Sequence, residues 1–241
     1  MLPLSDDNRG RRSLPYVTWA LIAINVLVYA YQAFLSPAEL NDFLQQWAAI
    51  PEEISGGSAL YTLLTSAFLH GSWFHLGSNM LFLWIFGDNV EDVMGHVKYL
   101  IFYVAAAVGA GLAQVLISTG SDVPMVGASG AVSGLLAAYI LLFPHGRIRT
   151  MVTLGVFITM TMLPAWMMIG YWFVLQLISG FLSLNQVANE GGGVAFFAHI
   201  GGFVVGLLLT IPLRDRDRQR SQNSARDEPV SSRTFGLGGR R

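Results

Sequence analysis

The stretch PMVGASGAVSG, residues 124–134, sets Ser129 between Gly127 and Gly130 at a point where a turn gives way to an apolar helix. Small residues in such a pattern let helices approach closely in lipid. A serine placed there can also attack a carbonyl, provided a base reaches its hydroxyl. Taken alone the stretch supports both readings, and the rest of the chain has to decide between them.

Of the 241 residues, 53% are hydrophobic and only 12% are charged. That is about half the charge of an ordinary soluble domain. Long uncharged runs alternate with short charged patches, as expected where lipid is the solvent. There are no cysteines, which excludes a disulfide framework and thiolate metal sites. No zinc or RNA-binding motif is present, and the basic residues flank apolar runs, so nucleic acid is not an expected partner.

Six apolar segments stand out, at about residues 16–34, 73–90, 97–118, 129–143, 165–183 and 196–213. Most approach the ~20 residues needed to cross a ~30 Å hydrocarbon core. The first follows Arg9, Arg11 and Arg12 but is long for a signal peptide and is read as a retained helix. All Lys and Arg fall before the first segment, in the second and fourth loops, or after the sixth. The charged residues in the loops on the other side are all acidic, among them Glu39, Asp42, Asp122 and Glu190. The positive-inside rule then places both termini in the cytoplasm. The expected organisation is a polar lead (1–13), an all-α membrane domain of six transmembrane helices (14–213) and a disordered polar tail (214–241). The long outer loop, 35–72, is apolar enough to lie in or on the outer leaflet, with Trp47 at the interface. Residues 150–163 read as the lower part of the fifth span or as an interfacial segment.

Polar groups inside apolar spans single out a site. Ser129 and His199 each precede the inner end of their span by 14 residues, and His75 precedes Asp88 by 13. At 1.5 Å per residue all three lie about 20 Å above the inner boundary, some 10 Å below the outer edge of the core. The fourth span is short, so the chain should dip into the protein before Ser129, which is tolerated only where a wet cavity or protein surrounds it. His199 at matching depth is the candidate base. No Asp or Glu on these spans is available at that level to complete a triad, so a Ser–His dyad is expected. The backbone N–H of Ser129 opens a helix, and His75 and Asn79 share one helical face, so all three are candidate oxyanion donors. Gly130 and Gly134 on one helix, and Gly202 and Gly206 on another, form small faces that would bring the two backbones together. His70 reads as a loop or interface residue, and His70 with His75 lacks a third ligand for a metal. Glu91 reads as a structural residue at the inner end of the second span.

Gly-Ala-Ser-Gly at 127–130, Ala-His-Ile-Gly-Gly at 198–202, His-x-x-x-Asn at 75–79 and FGDNVEDVMG at 86–95 together resemble the motifs of rhomboid intramembrane serine proteases. The resemblance runs from about residue 15 to 213 in order. It implies a six-helix fold, Ser129 as nucleophile, His199 as base, and His75 and Asn79 in the oxyanion hole. It also implies cleavage of membrane-anchored substrates near the outer bilayer face without metal or cofactor, with the fifth span and the loop containing Gly191, Gly192 and Gly193 gating entry. A bacterial inner membrane is the expected location. The alternative is a catalytically silent relative that binds transmembrane helices. Two features depart from the pattern. Ser133 stands where some members place a tyrosine against the histidine, and the first outer loop has no Trp-Arg pair.

Overall fold

The computed structural model describes residues 1–154, 157–183 and 195–227. After a short strand, β1 (Leu2–Ser5), comes α1 (Tyr16–Phe34). The outer loop follows with α2 (Pro37–Trp47), α3 (Pro51–Ser55), α4 (Thr62–Thr65) and a 3₁₀ turn (Ser66–Phe68). Then come α5 (Trp73–Met94), α6 (His96–Ile117), α7 (Ser129–Leu142), strands β2 (Arg147–Leu154) and β3 (Phe157–Pro164), α8 (Ala165–Ser183), α9 (Phe196–Leu213) and α10 (Arg216–Asp227). Helices α1, α5, α6, α7, α8 and α9 coincide with the six apolar segments to within four residues. Three of them, α1, α6 and α9, are long and apolar enough to cross a membrane by length and composition. Their outward faces are lined with large apolar side chains, such as Leu27, Leu116 and Leu208, as lipid-facing helices require.

At the centre stands α7, buried along nearly its whole length and packed on α5, α6, α8 and α9. Its contact with α9 is made by backbone. A Cβ on Gly202 would overlap the carbonyl of Gly130, and one on Gly206 would overlap that of Gly134. Below these contacts Tyr139, Phe143, Phe86, Leu83 and Leu135 fill the core, with the Phe86 and Tyr139 rings edge to face at 4.9 Å.

Two expectations need correcting. The chain is not purely helical, because β1, β2 and β3 form an antiparallel sheet in that order. Residues 150–154 and 157–163 belong to strands β2 and β3 rather than to a span or a helical segment. The reason lies in their Thr, Val and Ile content, which suits a pleated surface, and in Pro164, which disfavours helix in the residue before it. Residues 216–227 are not disordered but form α10, which docks through polar groups. Gln219 and Asn223 donate to the Leu142 carbonyl at the end of α7, and Gln222 donates to Asp92 at 2.6 Å. Residues 228–241 lie outside the described residues.

The N-terminal segment and α10 gather at the C-terminal ends of α5 and α7, termed the inner end. Glu91 is fully buried and accepts from Val17 N, Thr18 N and Thr18 Oγ1 at 2.7–2.9 Å, which places a carboxylate at the positive end of α1. This agrees with its structural reading. Asp92 accepts from the Ser13 backbone and hydroxyl, and Arg11 pairs with Asp88. Asp6 accepts from Asn89 and Tyr139, while Arg226 bonds Asn89 and lies 4.0 Å over the Phe143 ring.

Candidate active site

The outer loop is what holds the turn before Ser129. Ala49 and Met125 exchange two backbone hydrogen bonds, at 3.1 and 2.8 Å, and Gly127 N donates to Ser66 O at 2.9 Å. The loop therefore folds inward around buried Ala48, Ala49 and Ile50 and packs on α6, while Trp47 is half-buried against Phe43 and Tyr61. Gly127 has φ +129°, a conformation that favours glycine. A Cβ there would also meet the His75 ring at 2.7 Å. Two separate constraints thus fix the glycine two residues before the serine.

Helix α7 then begins at Ser129, and its first N–H groups have no partner within the helix. From α9, His199 presents Nε2 to Ser129 Oγ at 2.7 Å. His199 is only 7% exposed, and the backbone contacts of Gly202 and Gly206 bring its helix in. At the opposite edge, Nδ1 of His199 lies 2.8 Å from Oε1 of Gln176 on α8. The Ser133 hydroxyl donates to its own helix, to Ser129 O at 2.6 Å, and so does not orient the imidazole.

On α5, Ser72 caps the helix by accepting from His75 N at 3.1 Å. The His75 ring lies beside Gly127. Asn79, one turn further along the same face, is 5% exposed, and its Nδ2 has no hydrogen-bond partner among the described residues. A buried donor left unpaired carries a desolvation cost of about 1–3 kcal/mol. Such a group is satisfied when a ligand oxygen arrives. His70 lies in the loop between the 3₁₀ turn and α5, 2% exposed, with its ring 5.0 Å from that of His75. Among the described residues, no group of three His, Asp or Glu is placed to hold a metal.

Ser129, His199 and His75 therefore gather around the turn at Gly127, with Asn79 one helical turn further along α5, and the four glycines meet where α7 crosses α9. Two glutamines escaped that reading. Gln114 of α6 accepts from Phe197 N and Ala198 N at 3.1 and 3.2 Å and so caps the helix that carries His199. Gln176 is the sole amide of the fifth apolar segment, itself a signal, since polar groups at that depth tend to have a task. The segment with Gly191, Gly192 and Gly193 lies outside the described residues. Chemically, a hydroxyl hydrogen-bonded to an imidazole at the start of a helix has the parts that acyl transfer needs.

Comparison with known proteins agrees with this geometry. A Rhomboid domain model matches residues 57–216. Rhomboid protein 1, mitochondrial, of Saccharomyces cerevisiae is 29% identical over 196 residues, 80% of this chain and 51% of that protein. Rhomboid-like protein 11, chloroplastic, of Arabidopsis thaliana is 34% identical over 211 residues, 86% and 69% respectively. Rhomboid protease GlpG of Serratia proteamaculans is 28% identical over 193 residues, 80% and 61%. The chain spans about half the length of the yeast relative. Relatives from a mitochondrion, a chloroplast and a bacterium do not favour the bacterial inner membrane over other membranes.

Proposed function

This chain belongs to the rhomboid family, and from that premise we propose that it is a serine endopeptidase. It hydrolyses peptide bonds of transmembrane proteins near the outer face of the bilayer by a Ser129–His199 dyad. The observation that carries the reading is the 2.7 Å contact between Ser129 Oγ and His199 Nε2, made by two helices locked together through glycine.

The proposed reaction proceeds in two halves. His199 Nε2 takes the Ser129 proton as Oγ adds to the substrate carbonyl carbon. Negative charge on the carbonyl oxygen is met by the Ser129 N–H, the Asn79 amide and the His75 ring. Collapse breaks the C–N bond, and the imidazolium returns its proton to the leaving amine. Water, deprotonated by the same imidazole, then hydrolyses the acyl-enzyme and restores Ser129.

Six transmembrane helices, with both termini on the cytoplasmic side, suit this scheme. The basic residues Arg11, Arg147, Arg149 and Arg226 sit at the inner end with the termini, and the site lies toward the other end. Substrate enters sideways between α5 and α8. Helix α8 packs on α7 and α9, whereas α5 packs on α1, α6 and α7, so the two stand on different sides of the helix that carries the serine. The substrate helix must unwind locally, since a hydrogen-bonded amide inside a helix is closed to attack. Its partners are therefore transmembrane proteins and the bilayer itself.

Fluorophosphonate labelling tests the site. The wild type should label and cleave a model transmembrane substrate. Ser129→Ala should do neither while unfolding at an unchanged temperature, and His199→Ala should fail to label. Cleavage retained by Ser129→Ala would falsify the nucleophile.

A further inference from the structure

The dyad leaves one question open, namely what fixes the ring of His199. An imidazole serves as base only if its proton sits on Nδ1 and the lone pair on Nε2 faces the hydroxyl. Nothing on α7 or α9 imposes that tautomer. Ser133 is turned to its own backbone, and the Phe196 ring, 6.5 Å from the imidazole, offers no side-chain oxygen to a ring N–H; the nearby Trp172 ring of α8, at 6.0 Å, offers none either. The group that meets Nδ1 is Oε1 of Gln176, at 2.8 Å. It belongs to a third helix, α8, which is seated on α9 by the stacked rings of Phe173 and Phe203 at 4.0 Å.

We propose that Gln176 is the positioning residue of the dyad: its side-chain oxygen accepts the Nδ1–H of His199, fixes the productive tautomer and makes the base competent only while α8 is seated. This rests on the dyad reading. A side-chain amide can meet Nδ1 with either its oxygen or its NH₂. The oxygen selects the tautomer in which Nε2 accepts from Ser129, while the NH₂ selects the opposite one, in which Nε2 donates and Ser129 keeps its proton. The base is thus completed by residues from two helices, and the serine by a third. Outward displacement of α8 by about 1 Å would stretch the 2.8 Å contact beyond hydrogen-bond range. The ring would then be free to turn or to exchange tautomers. In this way the helix that flanks substrate entry also sets the reactivity of the base.

The test is the second-order rate of fluorophosphonate labelling against pH, with the full chain in detergent. Gln176→Leu keeps the volume and removes the acceptor, so its rate should fall about tenfold with an unfolding temperature matched to wild type. Gln176→Glu keeps the acceptor and adds charge. It should restore the rate to within about threefold, and the acid limb of its pH profile should move upward, because a carboxylate favours the imidazolium. Wild-type labelling together with undiminished labelling of Gln176→Leu overturns the proposal alone. Equal loss in both variants with an unmoved acid limb also overturns it, since packing would then explain the effect. Absence of labelling in the wild type overturns the dyad itself, and this proposal with it.

Discussion

The two ends of the helix bundle bury polar groups to opposite effect. At the inner end Asp88, Glu91 and Asp92 are buried with Asn89, and with Asp6 each finds partners within the chain. At the outer end Asn79 keeps an unpaired Nδ2, and the hydroxyl and imidazole are linked to each other rather than spent on structure. A satisfied network in a low-dielectric interior rigidifies, while an unsatisfied one is costly unless something arrives to complete it. The inner cluster binds the N-terminal segment and α10. The outer cluster leaves Asn79 without a partner among the described residues, as the proposed function requires.

The sharpest way to break this contrast is Glu91→Ala. It strands two backbone N–H groups and a hydroxyl of α1, and removing one partner of such a buried set costs about 3 kcal/mol. Denaturant unfolding should show that loss, while the labelling rate per folded molecule stays that of wild type. A fall in that rate would mean the two ends are not separate. Asn79→Ala should do the reverse. Cleavage should drop about 100-fold, as for loss of one oxyanion donor, with stability unchanged or slightly higher because an orphaned donor is gone. Finding it destabilised and fully active would move Asn79 to the structural side.

The smallest effect concerns Asp6. Burial, with the nearby Asp88 charge, pushes its carboxyl up from 3.8 to about 7. Between about pH 4 and pH 7 the folded chain then holds a proton that the unfolded chain has lost, so Asp6's contribution to stability falls as pH rises through that window. Unfolding temperatures measured across this range should slope less for Asp6→Asn than for wild type. Parallel slopes would mean that the carboxyl is solvated when the chain is folded.

What could be read in advance follows from the solvent. Apolar runs of fixed length announce themselves in lipid, so α1 and α5 to α9 were legible, and counting rise per residue brought Ser129, His199 and His75 to one level before any contact was known. Where composition and pattern disagreed, composition misled. Residues 150–163 are apolar enough for a span, yet the threonines and other β-branched residues among them suit the strands β2 and β3. Residues 216–227 are polar enough for a disordered tail, yet Gln222 and Arg226, four apart, meet Asp92 and Asn89 on one helical face. Gln114 and Gln176 act across helices on partners 83 and 23 residues away. No local pattern specifies such pairings. Glu91 was legible as a structural residue, though its caps on α1 were not.

The glycine seam between α7 and α9 has a consequence for the membrane around it. Helices adapt to a bilayer of unsuitable thickness by tilting, and side-chain packing normally leaves some slack for neighbours to tilt unequally. Here main chain rests on main chain at Gly130, Gly134, Gly202 and Gly206. The two helices must lean together, and the spacing of hydroxyl and imidazole stays constant as lipid composition changes.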